Sequence, residues 1–151
     1  MTENAKAPTR LKPIVTLDIK FFWDSCDKGE LKIERCASCQ QFRFPPRPMC
    51  PSCHSTRREH VAVSGRGKVY SWIRPVHPRP VGFDEPPIVA LVELEEGFRL
   101  VSNLYGIEFE KVTRDLPVEL FFDKTVGNRQ VPVFRPSPLA PLPRAGEGKK
   151  A

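Results

Sequence analysis

The sequence lacks any apolar run of about 18 residues, the length that a helix needs to cross a membrane. Its first twelve residues, MTENAKAPTRLK, have no apolar core behind their charges, so we expect no secretory signal and a cytoplasmic location. Thiols stay reduced in that compartment, where paired C-x-x-C motifs are more often metal sites than disulfides.

A recognisable catalytic set is also missing. The glycines of SGRGKV (64–69) run into a predicted strand and not into a helix, so they do not form a phosphate loop. Cys26 is the one thiol outside the paired motifs, and it lies on an apolar face where a buried residue is expected. His77 could bind an anion together with Arg74 and Arg79, although an ordinary loop histidine is the simpler interpretation. We therefore expect no independent catalysis.

Proline is abundant, with 17 residues in 151, and this argues against long helices. Only 40% of the residues are apolar, so a large core is not expected. The net charge of +6 is uneven: residues 21–68 carry nine basic and five acidic side chains, and residues 69–135 carry eight and ten. The basic excess around the cysteines could face nucleic acid, the phosphates of a nucleotide-like cofactor, an acidic protein or only solvent.

Four cysteines form the pattern C-x2-C-x10-C-x2-C. Two residues between ligands let both sulfurs of a knuckle point at one ion, and the intervening hairpin brings the two knuckles together. Four thiolates leave no open position, so the pattern predicts a structural metal site, with zinc favoured over iron. His54 and His60 are expected at the surface or behind the ligands. The predicted ligands are Cys36, Cys39, Cys50 and Cys53.

The remaining sequence predicts a mainly β protein. TLDIKFFWDSCDKGEL (16–31) is a predicted helix with Thr16 or Asp18 as its cap, and its aromatic face packs either on this chain or on another subunit. Residues 1–12 are expected to be loose. Five strands after Gly65, at 67–76, 87–94, 97–104, 117–124 and 129–135, predict a five-stranded OB-fold barrel. The predicted units are an N-terminal arm and helix (1–30), a rubredoxin-like zinc ribbon (31–63), the OB-fold (64–135) and a disordered tail (136–151).

Three stretches resemble one family closely. They are C-A-S-C…F-P-P-R-P-M-C-P-S-C, S-G-R-G-K-V-Y-S-W (64–72) and P-P-I-V-A-L-V-E-L-E-E-G-F-R-L-V-S-N-L (86–104), and together they resemble the DUF35 proteins, acyl-CoA-associated zinc-ribbon OB-fold proteins. One departure is Gln40, where many members have glycine. The resemblance implies a non-catalytic subunit that holds a thiolase-like or aldolase-like catalytic subunit in a competent form. It also implies structural zinc and a CoA thioester shared with the partner subunit.

Two other functions fit parts of the sequence. A single-stranded nucleic-acid-binding module would use Tyr70 and Trp72 as stacking platforms, but the barrel segment is net acidic, which makes nucleic acid an unlikely partner. A free-standing acyl-CoA-binding protein would bind CoA without a partner. The acyl group of the substrate, which the resemblance suggests is aromatic or otherwise bulky, is not specified by any motif.

Overall fold

The computed structural model describes residues 9–138, and within them β-structure dominates. One α-helix is followed by eight strands, with a single 3-10 turn between the sixth and seventh. The bounds are α1 Lys20–Cys26, β1 Lys32–Cys36, β2 Phe42–Arg43, β3 Arg58–Ala62, β4 Arg66–Ile73, β5 Ile88–Leu94, β6 Arg99–Leu104, the 3-10 turn Phe109–Lys111, β7 Pro117–Lys124 and β8 Gln130–Pro136.

The first three strands form a small antiparallel sheet in the order β2-β1-β3. The sheet is short because β2 holds only two residues before the chain turns through Pro45 and Pro46, which cannot both continue a ladder. β1 therefore lies in the centre, and its last residue is Cys36. This places the first cysteine at the end of the best supported strand of the sheet.

The last five strands form a closed barrel in the order β4-β5-β6-β8-β7. Burial alternates strictly along β5, so one face fills the barrel while the other faces outward. Gly67 is required where β4 and β5 meet, since a Cβ at this position would lie 2.5 Å from the backbone oxygen of Glu93. The two glycines of the SGRGKV segment thus serve close strand packing. The mainly β fold class, with one helix, a ribbon and a five-stranded OB-fold barrel, is confirmed.

The helix is shorter than its sequence pattern predicts. It covers Lys20–Cys26 and not 16–31, its N-cap position is Ile19, and neither Thr16 nor Asp18 caps it. Leu17 lies within the predicted helix, but its side chain is 93% exposed. The prediction failed because the preceding segment makes no contact that would bury an additional turn, and an isolated short helix gains little from propensity alone.

Helix α1 connects the ribbon to the barrel. Phe22 and Cys26 are buried in the common core, and Phe22 also contacts the ring of Phe44 at 5.5 Å between centroids. On the barrel side, the Asp27 carboxylate accepts a hydrogen bond of 2.9 Å from the backbone N–H of Gln130. The aromatic face of the helix is thus largely packed on this chain.

The N-terminal arm is held in place where the structure describes it. The hydroxyl of Thr9 donates to the backbone oxygen of Gly82 at 3.1 Å, and the backbone oxygen of Arg10 accepts from Val126 at 2.9 Å. The expectation that residues 1–12 are loose is therefore wrong for Thr9 and Arg10, because long-range hydrogen bonds that no local pattern reveals hold them. Residues 1–8 and the part of the predicted disordered tail at 139–151 lie outside the described residues.

None of the helices within residues 9–138 has both the length and the apolar character required to cross a membrane.

Candidate functional site

The two cysteine knuckles are tight turns with the same backbone geometry. In the first, the amide of Gln40 donates to the backbone oxygen of Cys36 at 2.9 Å, and in the second His54 donates to Cys50 at 3.0 Å. Gln40 and His54 have φ values of 62° and 58°, the left-handed conformation that glycine adopts most easily. The amide side chain of Gln40 adds a contact of 3.2 Å to the oxygen of Ala37, which helps a non-glycine residue to occupy this position.

The structure brings all four predicted ligands together. Their sulfurs lie within 4.8 Å of one another, and the Cys36–Cys53 and Cys39–Cys50 pairs are each 3.6 Å apart. A tetrahedral zinc ion with bonds of about 2.3 Å requires sulfurs about 3.8 Å apart. The donor set and its spacing therefore fit a zinc ion, and no histidine or carboxylate within residues 9–138 joins the group.

Backbone amides favour thiolates in the cluster. Hydrogen bonding from the Cys39 amide is the main cause that lowers the pKa of Cys36 to about 6, and the Cys53 amide likewise lowers the pKa of Cys50. Both thiols belong to the buried half of the cluster, whereas Cys39 and Cys53 are exposed. Thiolates are the form that binds metal, so these backbone amides prepare Cys36 and Cys50 as ligands. For Cys39, the hydrogen bond from the Gln41 amide is outweighed by desolvation and the neighbouring sulfurs, which together raise its pKa to about 12.

A buried ion pair lies beside the cluster and was not predicted. Glu34 on β1 and Arg43 on β2 face each other across the sheet, with Nε and Oε1 3.0 Å apart and side chains 0% and 1% exposed. The same carboxylate accepts from the backbone N–H of Arg47 at 3.3 Å, which ties the proline turn to the sheet. The opposite charges of Glu34 and Arg43 on either side of the first knuckle were the available signal in the sequence, but the register that pairs them is a property of the folded sheet.

The histidines stand apart from the sulfurs. His54 is exposed, and the imidazole of His60 stacks on the ring of Phe21 with centroids 3.7 Å apart and planes 5° from parallel. The stacking shows that Phe21 packs on this chain, against a residue of β3. The predicted placement of both histidines outside the ligand set agrees with the structure.

Cys26 is completely buried in the core, as the sequence predicted. Burial is the main cause that raises the pKa of its thiol to about 12, and the neighbouring Asp27 charge acts in the same direction. A thiol with this pKa carries almost no thiolate at neutral pH. Its environment is that of a structural residue and not that of a nucleophile.

A cavity of about 1010 Å³ opens at one end of the barrel. The arm supplies Arg10, whose guanidinium donates to Asn103 Oδ1 at 2.6 Å and lies 3.7 Å from the Asp123 carboxylate. Tyr105 completes this polar wall, and burial is the main cause that raises the pKa of its hydroxyl. Phe83, on the same wall, has its ring 5.4 Å from the Arg10 guanidinium carbon. None of these residues was singled out from the sequence as a group, because the arm, the loop and two strands that carry them are distant in the chain.

Two family models match this chain in the order of its structural parts. A model described as "ChsH2, rubredoxin-like zinc ribbon domain" matches residues 23–58, and one described as "ChsH2, C-terminal OB-fold domain" matches residues 60–123. Among solved structures, a chain of the Ltp2-ChsH2(DUF35) aldolase is 42% identical, superposes with a TM-score of 0.78, and is covered over 98% of its length by 83% of this chain. This chain belongs to the DUF35 family. The resemblance seen in the sequence is thus confirmed.

Curated relatives of this DUF35 chain are named as subunits. The probable enoyl-CoA hydratase alpha subunit of Thermomonospora curvata is 40% identical over 136 residues, which are 90% of this chain and 43% of that protein. The benzoylsuccinyl-CoA thiolase subunit BbsA of Geobacter metallireducens is 39% identical over 90 residues, 60% of each protein. The DUF35 chain thus spans less than half of the first relative and three fifths of the second.

The match to a zinc ribbon and the four-cysteine cluster together support a structural zinc ion in this DUF35 protein.

The two aromatic residues considered for base stacking, Tyr70 and Trp72, have other roles. The ring of Tyr70 lies under the guanidinium carbons of Arg99 and Arg114, at 3.6 Å and 4.8 Å from its centroid, and Trp72 packs against the core. Both rings are engaged within the chain.

Proposed function

We propose that this DUF35 protein is a non-catalytic subunit of an acyl-CoA complex of the thiolase or aldolase type, in which it stabilises or activates a larger catalytic subunit. The proposal rests on the structural match that covers 98% of a DUF35 chain in the Ltp2-ChsH2(DUF35) aldolase. The thiolase subunit BbsA among the relatives supports it. The single free thiol outside the cysteine cluster is buried, which agrees with a nucleophile that resides on the partner. The name of BbsA favours an aromatic or otherwise bulky acyl-CoA as substrate.

Within this proposal, the metal has a structural role. Cys36, Cys39, Cys50 and Cys53 would hold one zinc ion with all four coordination positions filled by thiolates. When bound, zinc supplies a cross-link between the two knuckles and no open site for substrate. The Glu34–Arg43 pair holds the strands that carry the first knuckle and the proline turn.

The CoA thioester would lie at the junction with the partner and not in a closed pocket of this chain. The large cavity at the barrel end includes five carboxylates and three cations among its lining residues, which is unfavourable for the phosphates of CoA. The ribbon instead carries more cations than carboxylates. Its exposed Arg47 and Arg57 have no carboxylate within ion-pair distance in the described part of the chain. Reduced thiolates in the cluster fit the cytoplasm.

The test is purification of the tagged chain from its native host, followed by native mass spectrometry and an acyl-CoA thiolysis and retro-aldol assay. We expect a stoichiometric complex with a thiolase-fold subunit, and turnover that falls at least tenfold when this chain is removed. Recovery of a lone chain that binds CoA with micromolar Kd would favour the free-standing carrier. Salt-dependent binding of single-stranded DNA without a protein partner would favour the nucleic-acid module.

A further inference from the structure

The outer face of the barrel is apolar where β4, β5 and β6 lie side by side. Ile73 is opposite Val89, and Leu91 is opposite Val101, so four apolar side chains occupy neighbouring positions on the outward face. Burial alternates along β5, which confirms that Val89 and Leu91 point away from the barrel interior. Ile73 and Val101 are 63% and 62% exposed.

A shallow groove extends this face toward the arm. Its volume is about 370 Å³, and its wall includes Leu11, Val81, Val89 and Val101. Leu11 is 59% exposed and Val81 is 75% exposed, although both lie in segments fixed by the hydrogen bonds between the arm and Gly82. We call the whole surface the apolar patch, defined by Leu11, Ile73, Val81, Val89, Leu91 and Val101.

The patch lies outside the buried core, with Val89 and Leu91 half-buried and its other members exposed. Its residues are absent from the buried core, and contiguous exposed apolar surface of this kind marks an interaction site in soluble proteins. Farther along the arm, Ile14 and Leu17 are also exposed apolar side chains, at 89% and 93%.

Cations flank the patch. Lys12 follows Leu11, Arg74 follows Ile73, and Arg79 lies two residues before Val81. In the described part of the chain, none of the three has a carboxylate within ion-pair distance, and the guanidinium of Arg79 donates only to the backbone oxygen of Asp84 at 3.3 Å. The same loop also carries two exposed acids, Asp84 and Glu85, and Glu85 forms no ion pair within residues 9–138.

This charge pattern distinguishes between occupants. A second copy of this chain, related by a two-fold axis, would place the same apolar patch opposite itself and bring the three cations near their counterparts, which is unfavourable. A partner with an apolar ridge bordered by aspartate or glutamate would bury the patch and neutralise its rim.

We infer that the apolar patch is the surface on which the catalytic subunit docks, through an apolar ridge with acidic residues on both sides. This inference rests on the proposed function, since the occupant is the subunit named there. It locates the contact on the barrel and arm rather than on the aromatic face of α1, which is already packed on the chain.

The test uses the thiolase-fold subunit identified by mass spectrometry with the wild-type chain, purified and titrated with variants of the full chain. Val81→Asp places a charge in an exposed loop, where we expect no effect on folding. Val101→Asp places a charge at the centre of the patch. Ala62→Asp is the matched control, because Ala62 is an exposed apolar residue at the end of β3 that lies away from Arg57. Burial of an unpaired carboxylate in an apolar contact costs enough to weaken binding about tenfold or more.

We expect Kd to rise at least tenfold for Val81→Asp and Val101→Asp and less than threefold for Ala62→Asp, with Tm values near that of wild type for Val81→Asp and Ala62→Asp. If both patch variants bind like wild type, or if Ala62→Asp weakens binding equally, the docking surface is wrong while the subunit function stands. If the wild-type chain binds no thiolase-fold subunit, the proposed function and the inference fail together.

Discussion

At the scale of single residues, the cysteine pattern predicted the metal site, but not the backbone conformation of the residues that follow each knuckle. The spacing of four cysteines was sufficient to predict that their sulfurs converge, and they do. The two residues after the knuckles could not be read in the same way, because glycine is the usual residue at a left-handed position and here Gln40 and His54 occupy it. Glu34 and Arg43 were also missed, since a charged residue in a short strand is normally exposed.

Cys26 provides a prediction about pH. Burial raises the pKa of its thiol to about 12 from an ordinary value of 9.0, so the folded chain keeps the proton over a range in which the unfolded chain loses it. The stabilising contribution is therefore fully present below pH 9 and is lost as pH rises toward 12. At pH 10 the unfolded thiol has gained about 1.4 kcal/mol from ionisation.

We expect the unfolding free energy of wild type to fall about 1 kcal/mol more between pH 8 and pH 10 than that of Cys26→Ala. Denaturant titrations of both proteins at the two pH values measure this difference, and the other thiols cancel because both proteins contain them. An identical pH dependence would show that the thiol is not protected by burial. The variant should also leave any catalytic complex active, because this sulfur has no role as a nucleophile.

At the scale of elements, the barrel strands were predicted within three residues of their observed ends, whereas the helix was not. β7 has the predicted bounds, Pro117–Lys124, because a proline and a following turn define it on both sides. The helix pattern ran from 16 to 31, but only Lys20–Cys26 is helical, since apolar periodicity indicates which face would be buried and not whether a partner for that face exists. The five strands were sufficient to predict an OB-fold barrel, but the order of strands, with β6 beside β8, is a long-range property that no local pattern gives.

The ribbon should depend on its metal far more than the barrel does. Its sheet has three short strands, one of two residues, and such a sheet buries too little apolar surface to be stable without a cross-link. We expect Cys36→Ser to lower zinc content well below one ion per chain and to destabilise the ribbon by several kcal/mol. Elemental analysis and hydrogen exchange across Lys32–Cys36 measure the two effects.

Cys26→Ser is the matched control for the loss of a thiol, because Cys26 is buried but lies outside the cluster. It should retain zinc and slow exchange in β1, even if its Tm falls. Should Cys36→Ser keep a full complement of zinc and exchange in β1 at the wild-type rate, the assignment of this cysteine as a ligand would be wrong.

At the scale of the whole molecule, long-range contacts between weakly structured segments join the ribbon, barrel and arm. α1 contacts both the ribbon and β8, and the rings of Phe42 and Phe98 connect β2 to the start of β6 with centroids 5.2 Å apart. The arm crosses from the loop at Gly82 to the turn at Val126. Such contacts fix Leu11 at the edge of the apolar patch, so a local change in the loop should alter both stability and binding.

Gly82 is the position that tests this connection. Its φ of +87° is unfavourable for other residues, and a Cβ there would lie 2.9 Å from the backbone oxygen of Thr9 and 3.2 Å from Arg10 Cα. Gly97 has nearly the same φ, +85°, with nothing within 4 Å of an added Cβ. Gly82→Ala therefore combines backbone strain with displacement of the arm, whereas Gly97→Ala introduces only the strain, about 1 kcal/mol.

We expect Gly82→Ala to lose about 1–2 kcal/mol more stability than Gly97→Ala, because the arm must give up its hydrogen bonds to the loop. Trypsin should also cleave after Arg10 faster in Gly82→Ala, and binding of the catalytic subunit should weaken because Leu11 leaves the patch. Equal stability loss and equal cleavage rates in the two variants would show that displacing the arm does not change the free energy of unfolding. The close contact at Gly82 would then be incidental, and the arm would have no part in shaping the docking surface.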